Sequence, residues 1–259
     1  MRVICCQLDT VWENKPANYQ RARELIERSA PQPHSLLLLP EMFASGFTMN
    51  IDAAADGPAA ETEVFLQSLA REFKITILAG IVRRAPPPDR RGLNEAVAYG
   101  PDGTLHARYC KLHPFSFAGE DSHYASGSAL TPFQLDGFMV SPLICYDLRF
   151  PETFRAAVKQ GATLLCVLAN WPKSRHAHWT TLLRARAIEN QCYVAAVNRC
   201  GNDPKHSYAG GSTIIDMRGE IMAEAGDSAG AIHADIDADK LQAWRAEFPA
   251  LNDIRADGL

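Results

Sequence analysis

Glu41, Lys111 and Cys145 are the residues of this chain whose chemistry and placement belong together. Each stands at the end of an apolar run: residues 35–40 lead into Glu41, 105–110 into Lys111 and 139–144 into Cys145. A buried strand that ends in a carboxylate, an ammonium or a thiol places that group at the carboxyl edge of a sheet, where open α/β sheets bind and transform ligands. A base, a cation and a nucleophile delivered to one rim are the parts of a covalent hydrolase. Taken singly, Glu41 reads better as an exposed strand end, Lys111 can be read as a solvated one, and Cys145 is more often a small buried hydrophobe. The set carries the expectation.

The stretch Cys145-Tyr146-Asp147-Leu148-Arg149-Phe150-Pro151-Glu152 reads as a strand end, a sharp turn and a helix opening at Pro151. Such a turn projects the cysteine out of the sheet, as the nucleophile elbow of α/β hydrolases projects a serine. It also leaves the Tyr146 N–H facing a developing oxyanion. A carboxylate carried into a sheltered pocket becomes a better base near neutral pH, which suits Glu41. Lys111, held between carboxylates, would stay charged and stabilise that oxyanion.

The elements that must position these groups alternate. Strands are expected at 3–8, 36–39, 75–82, 138–144, 163–168, 193–197 and 232–236. Helices are expected at 18–29, 61–73, 151–160, 177–190 and 237–247. Segments 94–99 and 105–110 flank Gly100-Pro101-Asp102-Gly103 as a hairpin, and a second hairpin turns at Met217-Arg218-Gly219. Residues 111–131 show no periodicity, and a loop of that length in a compact domain is usually functional. Alternation with two hairpins argues for an α/β fold of two mixed sheets packed face to face with helices outside, not a plain parallel doubly wound sheet. No repeat or low-complexity linker divides the chain, so residues 1–259 are expected to form one domain.

A net charge of −4 with interspersed signs gives no reason to expect nucleic acid or an anionic membrane as partner. The longest apolar stretches are too short to cross a bilayer, and the first residues lack a signal-peptide pattern. Seven cysteines, none paired at metal-knuckle spacing, fit free thiols in a reducing cytoplasm. Cys5, Cys6, Cys110, Cys166 and Cys192 read as core, and Cys200 as an exposed loop thiol. His176 and His178 lack a third ligand at metal spacing, so no metal is expected. Asp147, Arg149 and Glu152 read as salt bridges around the elbow, and His113 as a backbone hydrogen bonder.

Pro40-Glu41, Tyr109-Cys110-Lys111-Leu112-His113 and the Cys145–Glu152 block resemble the three motif blocks of the nitrilase, or carbon–nitrogen hydrolase, superfamily, in the family's order. Asn170-Trp171-Pro172, residues 184–190 and Val197-Asn198-Arg199 resemble further family segments. Residues 119–124 and Phe248-Pro249-Ala250 look most like the bacterial ω-amidase branch. The resemblance implies a four-layer α-β-β-α sandwich on homodimerisation. It implies no cofactor, and a small-molecule amide as substrate: the ω-amides of 2-oxo acids, 2-oxoglutaramate and 2-oxosuccinamate. It assigns Cys145 as nucleophile, Glu41 as general base and Lys111 as oxyanion stabiliser, with Glu120 as a second carboxylate positioning Lys111. An oxo acid needs a guanidinium for its carboxylate; Arg175 and Arg199 are expected near the rim, with Phe117, Trp171 and Tyr208 as apolar walls. The competing readings are deaminated-glutathione amidase, N-carbamoyl amino acid hydrolase, nitrilase, or a non-catalytic scaffold.

Overall fold

A computed structural model of the protein describes residues 1–255. Its logic is visible in the leucine run Leu36–Leu39 (β2), which has no polar side, so both faces of the strand must be covered. Leu36 and Leu38 enter a core shared by two sheets. Leu37 and Leu39 enter a second core under helices. β1 (Arg2–Gln7) pairs parallel with β2, and β2 with β3 (Thr76–Arg84); β4 (Gly92–Tyr99) and β5 (Leu105–Cys110) continue the sheet antiparallel as the expected hairpin.

The second sheet begins with β6 (Phe133–Leu135) and β7 (Phe138–Ile144). β7, β8 (Leu164–Ala169) and β9 (Tyr193–Asn198) run parallel. β10 (Cys200–Asn202) and β11 (Ser207–Ala209) form a separate ribbon. β12 (Thr213–Ile215) and β13 (Ile221–Glu224) complete the second sheet, and β14 (Gly230–Asp235) returns to pair antiparallel with β1. Both sheets are therefore mixed, as expected, and they pack face to face: Val3, Cys5 and Tyr109 share one core with Val140, Leu165 and Val194.

Helix α1 (Lys15–Ser29) starts earlier than its apolar periodicity indicates. The Asn14 side chain caps it by accepting the Ala17 N–H at 3.1 Å, with Pro16 in the first turn. After the short α2 (Ile51–Ala54), α3 (Glu61–Phe73) joins α1 over the outer face of the first sheet, where Ala22, Leu25, Ile26, Leu66, Leu69 and Ala70 bury. The segment expected as irregular holds a 3₁₀ turn (Ser116–Ala118) and α4 (Glu120–His123). α5 (Pro151–Lys159) and α6 (His176–Asn190) lay Phe154, Ala157, Leu183 and Ala187 into the large core, and α7 (Ala238–Glu247) adds Leu241. Two thiols depart from expectation. Cys200 is buried, because it pairs with Ala209 in the ribbon, and Cys110 is partly exposed at the end of an edge strand. Among the described residues no helix is long and apolar enough to cross a membrane.

Candidate active site

Glu41 is carried just past the end of β2 by Pro40 and is fully buried. The turn that holds it presses on β3. Gly80 N–H donates to the Pro40 carbonyl at 3.2 Å, and Phe43 N–H donates to the Gly80 carbonyl at 3.0 Å. A Cβ at position 80 would stand 2.4 Å from the Glu41 Cα and 2.7 Å from the Met42 nitrogen. Only glycine permits that approach. Gly80→Ala is accordingly expected to displace Glu41 and lower kcat by about 10²-fold, since a misplacement near 1 Å has that cost. Far-UV circular dichroism on the same sample should show the fold retained.

Four N–H donors fix the Glu41 carboxylate and its backbone. Oε1 accepts from Lys111 Nζ at 2.9 Å and from Asn94 Nδ2 at 2.8 Å, and Oε2 accepts from the Asn170 backbone N–H at 2.9 Å. Asn170 Nδ2 also donates to the Glu41 carbonyl at 2.7 Å. Asn94 begins the buried part of β4, and its amide donates a second bond, at 2.8 Å, to Glu120 Oε1. One side chain thus ties both carboxylates together.

Lys111 follows β5 directly and is 1% exposed. Its Nζ lies 2.9 Å from Glu41 and 2.8 Å from Glu120, whose Oε2 also accepts the Phe115 N–H at 2.5 Å. Burial alone would favour the neutral amine. Glu120 and then Glu41 outweigh it and hold Lys111 above the ordinary lysine range, so the ammonium is charged at neutral pH. The Phe47 ring lies 5.4 Å from that ammonium and screens it from water.

Cys145 opens a 3₁₀ turn, Cys145–Arg149, and takes a left-handed φ of 45°, a conformation that costs a non-glycine residue energy. Asp147, two residues on, holds the turn against the lysine segment. Its carboxylate accepts from the Tyr109 hydroxyl at 2.7 Å, the Ile144 N–H at 2.9 Å and the His113 N–H at 3.1 Å, and contacts the His113 ring nitrogen at 2.9 Å. The strand that ends in Lys111 and the one that ends in Cys145 are therefore locked by one buried carboxylate. Burial, and after it the Glu41 charge, push the Cys145 thiol well above its ordinary range, and Lys111 pulls the other way. The thiol is neutral at rest and gives up its proton only to a nearby base.

Cys145, Lys111 and Asn170 line a cleft with Phe47, Phe115 and Tyr208 among its walls. The structure brings Glu41, Lys111, Glu120 and Cys145 to one place, and Tyr146, Trp171 and Arg175 line the same cleft. Phe117 does not: it is 85% exposed, because the 3₁₀ turn of which it is the middle points Phe115 and Ala118 inward instead. Arg199 is buried and spent on backbone, donating to the carbonyls of Thr10 and Asn202 at 2.9 Å each, with Tyr208 over its guanidinium. It is a pillar beneath the wall and does not reach the rim. His113 departs from expectation: its backbone N–H and its ring both bond the Asp147 carboxylate. Among the described residues Arg149 makes no salt bridge at the elbow; it lines the cleft over Trp171. Asn94 and the Asn170 N–H were the functional contacts missed. An asparagine beside Glu95 at the head of the apolar run 96–99 is the signal that marks the first.

Two mixed sheets packed face to face, with a carboxylate, an ammonium and a thiol at one rim, have the architecture of the nitrilase superfamily. The carbon–nitrogen hydrolase family model matches residues 2–246, and the chain belongs to that family. It is similar to the 2-oxoglutaramate amidase of Bacillus subtilis (strain 168), 36% identical over 256 residues and covering 98% of each chain. It is also similar to omega-amidase YafV of Yersinia enterocolitica, 39% identical over 255 residues, covering 98% of this chain and 96% of that one. Among solved structures, XC1258 of Xanthomonas campestris, a CN-hydrolase superfamily protein, superposes with a TM-score of 0.90 at 36% identity, covering 98% of this chain and 96% of that one.

Proposed function

We propose that this protein is an ω-amidase that releases ammonia from the ω-amides of small 2-oxo acids, 2-oxoglutaramate and 2-oxosuccinamate, through a cysteine thioester. The observation that carries the reading is the buried Glu41–Lys111–Glu120 cluster at the floor of a cleft that also exposes Cys145. The named activities of the bacterial relatives support the substrate class.

In this mechanism Glu41 takes the thiol proton as Sγ attacks the amide carbon. The tetrahedral oxyanion is met by the Lys111 ammonium and the Tyr146 N–H, which as a first-turn amide has no carbonyl of its own turn to bond. Glu41 returns its proton to the leaving nitrogen, ammonia departs and the thioester remains. Glu41 next takes a proton from water, hydroxide adds to the thioester carbon, and collapse of the second oxyanion expels the thiolate, which recovers the proton. Glu120 and Asn94 keep Lys111 and Glu41 in register throughout. Nucleophile, base and oxyanion donors are all protein groups, so the reaction needs no cofactor. The enzyme acts as one domain spanning 1–259, as a homodimer, in the cytoplasm.

The test is turnover of a panel: ammonia release from 2-oxoglutaramate, N-carbamoylalanine and an aliphatic nitrile, and cysteinylglycine release from deaminated glutathione. A kcat/KM for 2-oxoglutaramate about 10²-fold or more above that for the aliphatic nitrile is expected, since a site built for a polar group rejects a substrate lacking it by at least that factor, and 2-oxoglutaramate is expected to be preferred over deaminated glutathione and N-carbamoylalanine as well. A preference for N-carbamoylalanine or the nitrile overturns the reading.

A further inference from the structure

We propose that Asn198 is a positioning residue for the reaction. Its side-chain amide takes the place of a peptide group at the end of β9 and, by pinning the Trp171 backbone, aims the Asn170 N–H at the general base. The inference rests on Glu41 acting as that base in the proposed thioester mechanism.

The two central strands of the second sheet part where the cleft begins. β8 and β9 pair in register up to Ala169 and Asn198, and the last rung is the Arg199 N–H donating to the Ala169 carbonyl at 3.2 Å. From there Cys200 enters the separate ribbon, and the partner of the Trp171 backbone is a side chain instead of a strand. Asn198 Oδ1 accepts the Trp171 N–H at 2.7 Å, and Nδ2 donates to the Trp171 carbonyl at 3.0 Å and to the Gly210 carbonyl at 2.9 Å. Both amide protons and the oxygen of this fully buried side chain are thus spent on main chain. A carboxamide offers the donor and acceptor of a peptide group, so it extends the ladder by one rung. Without it the buried Trp171 N–H and carbonyl would have to move to find other partners.

That rung carries the base. Asn170, between Ala169 and Trp171, donates its N–H to Glu41 Oε2 at 2.9 Å and its Nδ2 to the Glu41 carbonyl at 2.7 Å. The same residue reaches the nucleophile: burial and the Glu41 charge push the Cys145 thiol up, and a backbone hydrogen bond with Asn170 draws it down. Asn198 is in turn fixed from the first sheet. Its N–H donates to Ser212 Oγ at 3.0 Å, and Ser212 Oγ donates to Gln7 Oε1 at 2.8 Å. Gln7 ends β1, the strand beside the one that delivers Glu41. The chain Gln7–Ser212–Asn198–Trp171–Asn170 therefore runs from one sheet to the other and sets where the base stands relative to the thiol.

The experiment compares wild type, N198A, S212A and T163A. Thr163 is the matched control. It stands just before β8, at the end opposite Asn170, and its hydroxyl likewise bonds a neighbouring backbone N–H and carbonyl, those of Met139, at 2.9 and 3.4 Å. N198A should lower kcat for 2-oxoglutaramate by about 10²-fold, the cost of a misplacement near 1 Å. KM should stay within about threefold, because Asn198 does not itself line the cleft. T163A should keep kcat within about threefold while losing a buried hydrogen bond of its own. Iodoacetamide alkylation of Cys145, followed by peptide mass analysis, reads the same defect without an amide substrate. It should slow by about tenfold or more in N198A, since the thiol proton must still pass to Glu41. Wild-type kcat in N198A, a loss carried by KM alone, or an equal loss in T163A overturns the proposal. If N198A does not fold, S212A decides, because it removes only the hydroxyl behind Asn198. A kcat lowered by about tenfold with KM retained supports the chain of contacts, and wild-type kcat overturns it. If wild type fails to hydrolyse 2-oxoglutaramate while N198A slows Cys145 alkylation, the ω-amidase reading falls and the positioning role stands; unslowed alkylation removes the positioning role alone.

Discussion

Cys145→Ala will abolish ammonia release, lowering kcat by on the order of 10⁴-fold or more, as removal of a covalent nucleophile does. No other thiol can substitute. Cys5, Cys6, Cys166, Cys192 and Cys200 are buried and Cys110 does not line the cleft, and burial pushes all six thiols upward, to about 12 for Cys6, Cys110 and Cys192 and about 11 for Cys200. The substitution deletes one sulfur atom at a partly exposed position, so the unfolding free energy should change by about 1 kcal/mol or less. Acid quench during turnover, followed by peptide mass analysis, should trap the acyl group on the Cys145 peptide of wild type and on none in the variant. Ammonia release undiminished in purified Cys145→Ala would refute covalent catalysis at this residue.

Lys111→Met will cost both activity and stability, and that combination is diagnostic. Loss of one oxyanion donor lowers kcat by about 10²–10³-fold. Removal of the ammonium also strands Glu41 and Glu120, both fully buried, without their shared cation. Leaving a buried charge uncompensated costs about 3–5 kcal/mol, to be read from urea unfolding. Because the folded-state pKa of Lys111 lies above its ordinary value of 10.5, the ammonium contributes fully through the neutral range and is lost only as pH rises through the folded value. Adding Glu41→Gln and Glu120→Gln to Lys111→Met should restore much of the stability and none of the activity. A Lys111→Met protein that unfolds at the wild-type urea concentration would show that the cluster is not the charged assembly described.

How much of this was legible beforehand depends on what kind of fact is asked for. The leucine run announces β2 because a strand buried on both faces must be apolar throughout, and the same reasoning recovers β7, β8 and β9. Short pieces such as β6 and the β10–β11 ribbon lack the length for a periodic signal. Cys200 looked exposed because that ribbon was invisible. Phe117 and Phe115 cannot be told apart by type: one 3₁₀ turn decides which ring faces the cleft.

The order and types of residues by themselves determined that a carboxylate, an ammonium and a thiol each end a buried strand, since apolar runs and a proline-opened helix are local properties of the chain. Only the tertiary structure decided which N–H groups hold Glu41, that Asp147 locks the lysine strand to the cysteine turn, and that Arg149 faces the cleft while Arg199 does not. Those are contacts between residues far apart in sequence, such as Asn170 with Glu41. Burial and hydrogen bonding of that kind arise only when two sheets close on one another, and no local pattern encodes which partner a side chain will meet.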